Sequence, residues 1–69
     1  MENLVGKRFN TLKEIEEEIG ENLVELSFNN HQADLDFEII GEFKENKTPF
    51  TLFYLVDNGG RMLITEIQQ

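Results

Sequence analysis

Three carboxylates at two-residue spacing, Asp34, Asp36 and Glu38, are the first residues in this chain whose pattern could do chemistry. On an extended strand they share one face, about 6.8 Å apart by the strand rise. Glu25 can join them from a neighbouring strand. Such a row could hold a divalent cation, assist a proton transfer, or meet cationic groups on another molecule. The run Asp34-Leu35-Asp36-Phe37-Glu38 lacks the glycine turn and later glutamate of a calcium-binding loop. Carboxylates on a flat strand also converge poorly on one ion, so no metal site is expected. Acid–base work needs a cleft that desolvates one carboxyl and raises its pKa, and no stretch of the sequence supplies one. What remains is a solvated acidic face, or a row of negative charge spaced on the order of successive nucleic-acid phosphates.

Other reactive side chains are scarce. His31, the only histidine, sits among Asn29, Asn30 and Gln32 in a turn-prone sequence, and Ser27, the only serine, has no glycine elbow around it. Gly59-Gly60 matches neither a phosphate loop nor a dinucleotide fingerprint, because no helix is predicted to follow. Cysteine is absent, which removes disulfides, thiolate metal sites and thiol nucleophiles together. The expectation is a protein that is not an enzyme and uses no cofactor.

Charge narrows the partners. Fourteen acids against six bases give a formal charge of −8, which repels phosphate backbones and anionic lipid head groups. Direct nucleic-acid binding and membrane-surface binding are therefore not expected. No apolar run approaches the roughly 20 residues of a membrane-spanning helix. The stretch Met1-Glu2-Asn3-Leu4-Val5-Gly6-Lys7-Arg8 lacks the charge order and long apolar run of a signal peptide. A cytoplasmic setting is the expectation.

The elements that must position these residues follow from periodicity. At 69 residues the chain is read as one small domain, residues 1–69, with no repeat or linker. Thr11-Leu12-Lys13-Glu14 is a capping box that predicts a helix start, and Leu12, Ile15 and Ile19 form its apolar stripe before Gly20 closes it. Glu14, Glu16, Glu17 and Glu18 make this helix strongly acidic, and those in its last turn oppose the helix dipole.

Beyond Gly20 the period becomes two. Val24, Leu26 and Phe28 predict one strand, and Ala33, Leu35, Phe37 and Ile39 a second, with Gly41 at an inward position and Phe43 continuing it. Lys44 to Pro49 reads as a loop, Phe50 to Val56 as a third strand, and Arg61 to Gln68 as a fourth. Asp57-Asn58-Gly59-Gly60 between the last two is a hairpin signal, with Asn-Gly suited to a type I′ turn. The predicted fold is α+β: one short N-terminal helix packed on a four-stranded antiparallel meander sheet, in the order α-β-β-β-β.

The third strand is apolar on both faces, and Met62-Leu63-Ile64 repeats this on the fourth. One helix covers one face. Either the N-terminal segment with Leu4, Val5 and Phe9 covers the other, or that face is an interface. The leading expectation is a non-catalytic protein-binding or self-associating module, using Phe53, Leu55, Met62 and Ile64 to form a homodimer or hold a protein partner. The alternative is an acidic, nucleic-acid-mimicking inhibitor that occupies the basic groove of a nucleic-acid enzyme, with Glu25, Asp34, Asp36, Glu38, Glu17 and Glu18 as phosphate substitutes.

Overall fold

The computed structural model describes residues 2–29 and 37–69. A single turn of 3-10 helix, Glu2–Leu4, leads into β1 (Arg8–Phe9), α1 (Leu12–Ile19), β2 (Leu23–Phe28), β3 (Phe37–Phe43), β4 (Pro49–Val56) and β5 (Met62–Gln68). The protein is α+β, with one short helix and a five-stranded antiparallel sheet curled into a half-barrel. Strand order is β1-β5-β4-β3-β2. The four-strand meander is present as predicted, and β1 adds a fifth strand at the β5 edge. Two residues are too few to show a period, so Arg8 and Phe9 gave no strand signal in the sequence. Among the described residues no helix is long and apolar enough to cross a membrane.

The helix starts where its cap predicts. Thr11 is extended, and its hydroxyl accepts from the Glu14 amide at 3.2 Å. The Glu14 carboxylate reaches one residue further back than expected, accepting from the Asn10 amide at 2.7 Å. Both bonds satisfy amides at a helix entrance that the backbone ladder leaves unpaired. Ile15 is fully buried, with Leu12 and Ile19 packed beside it. The helix rests against β2 and β1, the two edges of the curled sheet.

One core lies under the helix. Leu26, Ile39, Leu52, Tyr54, Met62 and Ile64 project into it from the sheet, and Leu4 and Phe9 join from the N-terminal segment. Tyr54 stacks on Phe37 with ring centroids 5.3 Å apart. Gly41 faces inward as the alternation predicts, and its missing side chain makes room for side chains of the two neighbouring strands. A Cβ there would meet the Phe50 ring at 2.5 Å and a Leu26 methyl at 2.7 Å. Phe50 fills that space and meets Phe43 with centroids 4.7 Å apart.

The turn between β4 and β5 differs from the predicted type. Gly60 N–H donates to the Asp57 carbonyl at 3.0 Å and Asp57 N–H to the Arg61 carbonyl at 2.9 Å. Neither Asn58 nor Gly59 has positive φ, whereas Gly60 has φ 80°. This is a three-residue connection, a right-handed turn closed by a left-handed glycine, instead of a type I′ turn on Asn58-Gly59. It opposes Val56 to Met62, Leu55 to Leu63 and Tyr54 to Ile64.

Candidate functional site

The outer face of the sheet, away from α1, can be laid out from the strand register, because directly opposed residues share a face. Arg8, Leu63 and Leu55 form one row across β1, β5 and β4. Glu66, Phe53 and Glu38 form the next, across β5, β4 and β3. Gln68, Thr51, Ile40 and Ser27 form a third. Pro49, Glu42 and Glu25 form the last. The face is thus a chequer of apolar and acidic groups.

Of the four residues expected to make an apolar interface, only Phe53 and Leu55 lie here. Met62 and Ile64 are buried in the core under the helix. The turn supplies the reason. A two-residue turn on Asn58-Gly59 would oppose Leu55 to Met62 and Phe53 to Ile64, whereas the extra residue in the actual connection moves β5 by one. A slip of one residue exchanges the faces of every side chain on a strand. Leu63 takes the outward place instead, opposite Leu55.

The N-terminal segment does not cover this face. Leu4 and Phe9 are buried in the core on the helix side, and backbone bonds join Gly6 and Lys7 to Ile64 at 2.8 and 3.0 Å. Leu55 remains 49% and Ile40 41% exposed. Val24, the extra residue where the β2–β3 register shifts, is 52% exposed. A groove of about 410 Å³ runs between Val24, Glu25, Ile40, Glu42, Pro49 and Thr51.

The predicted acidic surface is divided. Glu25 and Glu38 lie on the outer sheet face, whereas Glu17 and Glu18 are exposed on the helix, on the opposite side of the sheet. Asp34, Asp36 and His31 lie outside the described residues. Glu18 pairs with Lys7. Glu42 and Glu66 join the outer face without having been singled out from the sequence. Glu42 was legible there, since it continues the alternation of Glu38 and Ile40 by two residues. Glu66 was not, because a second register shift separates Phe53–Glu66 from Tyr54–Ile64.

Where the outer face meets the β4–β5 turn, Asp57 gathers the polar contacts. Its Oδ1 accepts from the amides of Gly59 at 2.8 Å and Arg61 at 2.9 Å. Its Oδ2 meets the guanidinium groups of Arg8 at 3.1 Å and Arg61 at 3.3 Å. The Arg61 amide bond, with help from the Gly59 amide and the two arginines, holds the Asp57 carboxyl below the ordinary aspartate range against the opposing effect of partial burial. This network links β1 to the turn and bounds the Leu55–Leu63 row. Among the described residues no three His, Asp or Glu side chains are grouped to hold a metal ion.

Comparison of the chain with protein-family models, curated proteins and solved structures finds no match.

Proposed function

We propose that this protein is a non-catalytic protein-binding module that holds a protein partner against the outer face of its sheet. The observation that carries this reading is the exposure of Leu55 and Ile40 on a face that neither α1 nor the N-terminal segment covers. Phe53, half-buried, lies between them, and Leu63, also half-buried, extends the apolar surface beyond Leu55. Contiguous exposed apolar surface rimmed by charge is characteristic of interaction sites. A small chain without disulfides gains by covering such surface with another molecule. Binding to a different protein is favoured over self-association, since a second copy brings another −8 of charge to a face already carrying Glu25, Glu38, Glu42 and Glu66.

The test is retention of proteins on the immobilised chain, compared between the wild type and the double variant Phe53→Glu, Leu55→Lys, with folding of both checked by circular dichroism. The reading requires a partner lost with that variant and kept with Glu17→Gln, Glu18→Gln on the helix. An identical set of retained proteins on the wild type and the sheet variant, or loss only with the helix variant, ends it. Light scattering on the free chain should give a monomer mass.

A further inference from the structure

Resting on that reading, we infer that the partner contributes a lysine or arginine side chain to the groove at the β2–β4 end of the outer face, with its cation between Glu25 and Glu42. These two glutamates are directly opposed across β2 and β3. Like charges in that position destabilise a sheet. Among the described residues no lysine or arginine forms an ion pair with either one; Lys7 is engaged by Glu18, and Arg8 and Arg61 by Asp57. Among the described residues no cation offsets their opposition, and a local cost of this kind without a compensating contact marks a candidate functional position.

The groove beside the pair has the complementary shape and chemistry. Its walls are the apolar Val24, Ile40 and Pro49 with Thr51, and its acidic rim is Glu25 and Glu42. Val24 reaches it because the register of β2 shifts between Leu23 and Glu25, and bulges of this kind re-aim a side chain. Lysine and arginine combine an apolar stem with a cationic head, so the stem fits along Ile40 and Val24 while the head meets the carboxylates. A hydrophobic side chain would leave the two carboxylates unrelieved, and an anionic one would add to them.

The probe is a peptide of alternating lysine and valine, titrated into the full chain while amide chemical shifts are followed. The expected result is saturable shifts at Val24, Glu25, Ile40 and Thr51, weakened by salt. In Glu25→Gln, Glu42→Gln affinity should fall about tenfold, the worth of roughly 1.4 kcal/mol. The same substitutions should raise the melting temperature of the free chain, so a folding defect cannot account for the loss. Equal binding of a peptide with norleucine for lysine, an absence of shifts in the groove, shifts centred on Glu17 and Glu18, or a groove-dependent dimer without peptide would each overturn the inference. If the groove fails while Phe53→Glu, Leu55→Lys still abolishes partner retention, only the cation falls; if that variant also keeps its partners, both readings fall.

Discussion

On the helix-covered face of the sheet, Ile39, Leu52 and Ile64 are at most 1% exposed. On the opposite face of the same sheet, Ile40 and Leu55 keep nearly half of their surface in solvent. The two faces are made from adjacent positions of one polypeptide, yet they are organised on different terms. The inner face is uniformly apolar, and even its glycine, Gly41, is occupied from across the strand by Phe50 and Leu26. The outer face alternates apolar rows with glutamates and opposes two of them directly. Packing economy explains the first arrangement. The second costs stability in the isolated chain, a cost that the proposed partner would offset.

This contrast predicts how the two faces respond to substitution. The largest effect belongs to Leu52→Ala, which leaves a cavity at the centre of the inner face. Core truncations of this type cost about 2–5 kcal/mol, comparable with the roughly 3–5 kcal/mol that one small core supplies. Urea denaturation should show the variant largely unfolded without denaturant, and a well-folded variant would mean that the core lies elsewhere.

Next comes Gly60→Val, which strikes the residue that assigns β5 to its face. A branched side chain at φ 80° is strained by about 1–3 kcal/mol, and the two-residue turn on Asn58-Gly59 becomes a competitor. Backbone NMR should report either a lower melting temperature with the native register or a β5 shifted by one residue. Unchanged stability and register would show that the turn does not decide the faces.

A pH-dependent effect follows for Asp57→Asn. The Asp57 carboxyl titrates lower in the folded chain than in the unfolded one, so its contribution to stability is fully present above the ordinary aspartate value, about pH 4. It is lost as pH falls through the lowered folded value. Melting curves of wild type and variant should differ near neutrality and converge in acid. A constant difference across that range would show that the network with Arg8 and Arg61 stabilises through geometry alone.

The smallest stability effect is expected for Leu55→Lys on the outer face, within about 0.5 kcal/mol of the wild type in the same urea titration. A loss as large as that of Leu52→Ala would mean that Leu55 belongs to the core, and the division between the faces would collapse.

Much of this fold was legible in the order of the residues. Thr11 and Glu14 announced the helix, Leu12, Ile15 and Ile19 its buried stripe, and the apolar alternation of Phe37 and Ile39 the inner face of a strand. Those signals are local: a hydroxyl three residues from the amide it accepts from, or a period that matches the backbone repeat. Asp57-Asn58-Gly59-Gly60 marked the hairpin equally well. The sequence left open which glycine would take the left-handed position, and with Met62, Leu63 and Ile64 all apolar either register buries a hydrophobic set. Only the folded chain chose, by placing Gly60 at positive φ and tying Asp57 to Gly59 and Arg61, so that Met62 and Ile64 meet the core and Leu63 faces out. Pairing of Glu25 with Glu42, and of Arg8 and Phe9 with β5, was likewise decided in three dimensions, because register between strands depends on turns and shifts that no single strand encodes.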